Sequence, residues 1–447
     1  MNRLGKILIA LIVVLLVASA ACKLRDDSDA TSSPEIPGPA ETDVVGAEAA
    51  EDTPTPSAPT TPTPQKVEPH IPFPTPTPTP DPSTQVPAQA DDLVETFEAE
   101  LSVITSQVIE LRGLPSLEET PFTFLTSQEL RELIQADLLE SYPPEESQID
   151  QELYLALDFL DEDDDLFQMV SDLYSEQVVG FYDTDEKAMF IVSDREDLGP
   201  NEKLTFAHEL THALQDQHFD LDAFLPEDEE NADRQRARLA LVEGDATLSQ
   251  SVYAVRHLSQ EELLQLGVVT GEFTAFRQAA KILQEDLVFP YSSGTDFVSV
   301  LFGRGGWTAI DGAYQSPPES TEQVLHPERY RAGDSPVEVI IPGLVDSLEG
   351  EWLLLDSGVL GEFMLKVYLE NFLSINGAAG AAEGWGGDSY KLLKQGPEGE
   401  RLLVVLSVWD TEPDAVEFFD AYVGYIDEKG NGEWPLTLSE EEKRWWN

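Results

Sequence analysis

His208-Glu209-Leu210-Thr211-His212 restricts this 447-residue chain more than any other segment, because its chemistry requires it to sit mid-helix. Two imidazoles four residues apart share one helix face, about a turn apart, where their ring nitrogens can converge on a single metal ion. Glu209 faces the same point. It is close enough to take a proton from an activated water without being a ligand, the division of labour of a metal-dependent hydrolase. Leu204, Phe206, Ala207, Leu210, Ala213 and Leu214 lay an apolar stripe at helical spacing over 202–216, and Pro200-Asn201 is a start signal. Upstream, Gln177–Tyr182 and Ala188–Val192 flank the polar turn Asp183–Lys187 and read as a hairpin. An edge strand beside such a helix could hold an extended peptide by strand addition.

A catalytic metal site commonly takes three protein ligands, so one more donor is expected after His212. Two candidates compete. Glu243 lies among Leu239, Ala240, Leu241, Val242 and Ala246 in a long helical stretch from Ala232 to His257, and a carboxylate in apolar company wants a partner. His218 stands ten residues after His208, where the metzincin pattern puts its third histidine. That pattern needs a helix-breaking glycine at the position of Gln215, and if the helix continues instead, His218 points away from the metal.

His208–His212 followed at a distance by a helical glutamate resembles the gluzincin branch of the zincin metallopeptidases. The longer string His208–Gln217, with Leu241-Val-Glu-Gly-Asp-Ala246 after it, is similar to a group of poorly characterised bacterial lipoproteins expected to be such peptidases. The resemblance implies an α+β, zincin-like fold, a Zn2+ cofactor held by His208, His212 and Glu243, and Glu209 as the base acting on a peptide or protein substrate. Many gluzincins carry an aspartate four residues after the ligand glutamate to orient a histidine; Thr247 stands there, and Asp245, two residues on, is expected to face sideways.

Residues 1–21 read as a secretory signal, with Arg3 and Lys6, an apolar core Ile7–Val17 and a small-residue end. Cys22, the only cysteine, follows at once and resembles the acylated residue of bacterial lipoproteins, although Ser19 replaces the leucine usual in their cleavage box. The expectation is an exported protein, held to the membrane by lipid on Cys22 and facing the extracytoplasmic side. Lys23 to Ala90 holds 16 of the 31 prolines and no sustained apolar pattern, so 22–90 reads as a disordered tether reaching up to roughly 200 Å.

The remaining residues divide into a catalytic part, 91–335, and a C-terminal α/β subdomain, 336–447. Together they carry 21 basic and 75 acidic residues, a net charge of −54 that argues against nucleic acid or anionic lipid as partners. Helices are expected over 92–112, 127–141, 147–160 and 259–285 beside a small mixed sheet, with glycine-rich joints around Gly294 and Gly303–Gly306. Asp161–Asp165 lacks the glycine and late glutamate of a calcium loop and reads as a solvated turn. Ser320 and Gln323 form a capping box for a short helix closed by Pro327, in a segment also similar to the lipoprotein group. His326, Tyr314 and Tyr330 are candidates to stabilise an oxyanion. Strands are expected at Tyr390–Leu393 and Leu402–Trp409, and a helix at Asp414–Ile426.

Overall fold

Local signals account for most element boundaries in the computed structural model, which describes residues 88–447 except 178, 193–197, 227–230, 267–272, 397–398, 434–435, 441–442 and 447. The expected signal, Cys22 and the tether up to residue 87 lie outside the described residues. Helix α1 (Ala88–Arg112) leads into β1 (Phe122–Leu125). Helix α2 (Ser127–Ser141) begins at a reciprocal capping box between Thr126 and Glu129, and α3 (Pro144–Ala156) starts on a proline. After α4 (Leu166–Gln177) come β2 (Gly180–Asp183) and β3 (Ala188–Val192). The β2–β3 turn is closed by Asp183, whose carboxylate accepts from the amides of Asp185 and Glu186.

Helix α5 (Pro200–Phe219) carries the histidine pair, and α6 (Ala232–His257) carries Glu243. Then follow α7 (Lys281–Gly305), α8 (Trp307–Gln315) and the short α9 (Thr321–Leu325). The C-terminal part includes β4 (Leu353–Gly358), α10 (Gly361–Leu369), a short helix at Ile375–Ala382, β5 (Trp385–Lys394), β6 (Arg401–Trp409), α11 (Glu412–Lys429) and the hairpin β7 (Leu436–Glu440) and β8 (Lys443–Trp446). The chain is thus helix-rich, with small sheets, an α+β arrangement. The first sheet has the order β1-β3-β2, mixed because β1 runs parallel to β3, and leaves β2 at an edge; the second, β4-β5-β6, is antiparallel.

Two apolar clusters meet around the histidine helix. One face of α5, with Leu204, Phe206, Ala207, Leu210, Ala213 and Leu214, packs against Leu101, Ile104 and Val108 of α1 and Phe124, Met189 and Ile191 of the first sheet. The larger cluster joins Ala240–Val242 of α6 to Ile282, Phe289 and Phe297 of α7, and runs on to Phe363, Trp385 and Leu392. Helices α6 and α7 lie backbone to backbone. A Cβ on Gly244 would sit 2.3 Å from the Gly294 carbonyl, and one on Gly294 would sit 2.2 Å from the Ala240 oxygen.

Four sequence expectations need correction. The span 259–285 is not one helix: Gln260–Leu266 and Thr274–Gln278 are separate short helices, and Ala279 and Ala280 are extended before α7 begins. The third expected helix runs 144–156 rather than 147–160, because Asp158 takes a left-handed conformation in the turn that ends it. Gly294 is no joint, since α7 continues through it and through Pro290; the glycine is there for the close approach of α6. Ser320 does cap α9 through the Gln323 amide, but the Gln323 side chain accepts from Glu319 N–H instead of closing a reciprocal box.

Candidate metal centre

His208 and His212 project from the middle of α5 on one face, and α6 crosses that face so that Glu243 meets them. His208 Nε2 lies 3.2 Å and His212 Nε2 3.4 Å from Glu243 Oε2, with the two Nε2 atoms 3.0 Å apart. All three residues are buried, and the ligand atoms lie within 4.8 Å of one another, so the cluster could hold a metal ion. His208 Nδ1, Glu209 Oε2 and Glu243 Oε1 are buried without a hydrogen-bond partner. Unpaired carboxylate oxygens inside a protein are costly unless a cation faces them, and a divalent ion suits this two-imidazole, one-carboxylate set.

Charge is already redistributed here. Burial pushes His208 below its ordinary value; it acts on His212 in the same sense, but the Glu243 carboxylate overrides it and lifts His212 to about 9. Burial would raise Glu243, yet the two imidazoles hold it below the usual carboxylate range. Glu209 has no such cation in hydrogen-bond contact, and burial pushes it up to about 8 although the Tyr182 N–H donates to it. That contact sets the edge strand β2 against the motif.

The ring of His212 is oriented by a chain of buried polar groups. Its Nδ1 lies 2.8 Å from Gln215 Oε1, and Gln215 Nε2 donates to Val242 O at 3.0 Å and to Asp245 Oδ2 at 2.9 Å. Asp245 in turn accepts from Arg112 Nε at 2.8 Å, Arg112 Nη2 at 3.0 Å and Tyr314 Oη at 3.0 Å. Asp245 does turn sideways from the histidines, as its offset on α6 predicts, but it reaches His212 through Gln215. Thr247, at the place where gluzincins have aspartate, has a buried hydroxyl without a partner and plays no part in orienting His212.

His218 is not brought to the cluster. Its Nε2 donates to Pro115 O at 2.8 Å, because α5 continues past Gln215 and carries His218 to the outside. The other conspicuous residues of the string are equally occupied: Asp216 accepts from Tyr182 Oη and Lys187 Nζ, and Gln217 Oε1 from the Leu117 and Glu118 amides. Tyr314 donates to Asp245, Tyr330 donates to Ser316 O at 2.7 Å, and His326 Nε2 pairs with Glu362 at 2.8 Å. None of the three contacts His208, Glu209 or Glu243 in a hydrogen bond. Tyr291 of α7, by contrast, carries no motif and lies with its ring 6.3 Å from that of His208. Its only sequence signal is its place in the Phe289–Gly294 string, three residues before the glycine that lets α7 close on α6.

A family described as Domain of unknown function (DUF8575) matches residues 353–447. The match covers β4 through β8 and leaves the cluster outside. No curated protein and no solved structure matches the chain.

Proposed function

We propose that this chain is a zinc metallopeptidase of gluzincin type, exported and held at the membrane surface by lipid on Cys22. The observation that carries the reading is the convergence of His208, His212 and Glu243 on one point with Glu209 beside them. When bound, zinc supplies Lewis-acid activation of water and of the scissile carbonyl. Glu209 takes up the proton and returns it to the leaving amine, the general-base role that its place beside the two histidines allows. The Tyr182 amide orients Glu209, and the place of β2 at an edge of its sheet favours an extended peptide bound beside it. The acidity of the chain speaks against a nucleic-acid substrate.

One observation favours a second reading, a binding protein with a structural metal. His208, Glu209, His212 and Glu243 are each at most 2% exposed, as in closed structural sites. Zinc content and peptide hydrolysis measured on Glu209→Gln and Glu243→Ala separate the two. The peptidase reading expects Glu209→Gln to keep zinc while losing roughly 10²–10⁴-fold in activity, and Glu243→Ala to lose both. Stoichiometric zinc without hydrolysis in the parent chain would leave the structural reading.

A further inference from the structure

The donors and acceptors around Gln215 permit only one arrangement. Its amide nitrogen faces two acceptors, Val242 O and Asp245 Oδ2, so a flipped amide would set oxygen against oxygen twice. Gln215 Oε1 must therefore face His212, and Nδ1 of His212 must carry a proton to donate to it. That leaves Nε2, the atom pointing at His208 and Glu243, as the one available to a metal. His208 has no comparable partner, its Nδ1 being buried and unpaired. The protein thus dictates the orientation and tautomer of one ligand only, and does so with a neutral amide rather than a carboxylate.

Asp245 is what holds the amide. It takes two hydrogen bonds from Arg112, which is fully buried at the last residue of α1, and Arg112 spends Nη2 on Asp311 as well, at 2.7 Å. We propose that Gln215 is the positioning residue of the metal cluster and that the Asp245–Arg112 pair is its clamp, so that a buried charge one link away does the work a carboxylate does directly in related sites. This rests on the metal reading of the cluster but not on catalysis.

The test uses the full chain, stripped with a chelator and then titrated with zinc against a competing chelator and with cobalt by visible absorption. Gln215→Met keeps the volume and removes the hydrogen bonds. It is expected to weaken zinc by about 10–100-fold and to alter the cobalt bands, with the melting transition in chelator still cooperative. Should that variant not fold, Gln215→Glu alone and together with Asp245→Asn decides the matter. The single change sets a carboxylate oxygen against both Val242 O and Asp245 and is expected to weaken metal, whereas the pair removes the repulsion from position 245 and is expected to recover part of the lost affinity. Parental zinc affinity and cobalt spectrum in Gln215→Met, or a double variant no better than Gln215→Glu, overturns the proposal. A parent chain that binds neither metal overturns the metal reading itself.

Discussion

Replacing Gly244 with alanine tests whether the α6–α7 contact sets the position of Glu243. The new methyl would lie 2.3 Å from both the carbon and the oxygen of the Gly294 carbonyl, against an ordinary contact of 3.4 Å or more, and the obstacle is backbone that cannot rotate away. The helices must therefore part by about 1 Å, and overpacking of that kind costs about 1–3 kcal/mol, outweighing the ~0.5–1 kcal/mol that alanine gains over glycine in a helix. Glu243 is the preceding residue, so the same displacement strains its approach to His208 and His212. Gly312→Ala is the matched control, because nothing lies within 4 Å of its Cβ position in α8. Denaturant unfolding of the chelated chains should show Gly244→Ala destabilised and Gly312→Ala unchanged or slightly stabilised, and zinc titration should show weaker binding only in the first. Equal stability of Gly244→Ala and parent would refute the close-packing argument.

Other expectations follow from buried groups. Burial, reinforced by Glu362, lifts Glu322 to about 8, so the folded state keeps a proton that the unfolded chain releases near 4.5. Its stabilising share is complete below pH 4.5 and is lost as pH rises toward 8, on the order of a few kcal/mol, so Glu322→Gln should flatten the pH dependence of unfolding between 5 and 8; an unchanged slope counts against it. Arg112→Met leaves Asp245 buried without its cation and should cost about 3–5 kcal/mol in urea unfolding, whereas a cost near zero would show the pair to be dispensable. His218→Ala removes the bond to Pro115 O and the ring contact with Phe219, neither of which touches the cluster, so zinc content should stay at the parental level; loss of zinc in this variant would reinstate it as a ligand.

The parts of the site that repeat at short range were legible from the residues. Helix α6 runs over the expected 232–257, α5 overruns 202–216 by two residues at the start and three at the end, and the hairpin strands meet across the expected turn. The choice of Glu243 over His218 also follows from helix geometry, since Gln215 lets α5 continue. What escaped depends on distant partners. The parallel pairing of β1 with β3 joins residues some 67 positions apart and leaves no periodic mark. The break at Ala279 and Ala280 falls on two good helix formers, where tertiary packing overrides propensity. Gly294 reads as a joint by composition, and only α6 lying against it shows why glycine is needed. In the sequence Gln215 signals only its unfitness for a turn; its role emerges once Val242 O, Asp245 and His212 surround it.

The sealing of the cluster has a consequence for the rate of exchange. With His208, His212 and Glu243 at most 2% exposed, release of an ion from them calls for the residues packed over the cluster to move, and a parting of α5 from α6 is the most direct such motion. Opening of that kind is local unfolding, with its own free energy and its own frequency. A chelator in excess would then capture the ion at the opening frequency, so the half-life of the loaded state would stop depending on chelator concentration and would instead track the hydrogen exchange of the α5 and α6 amides.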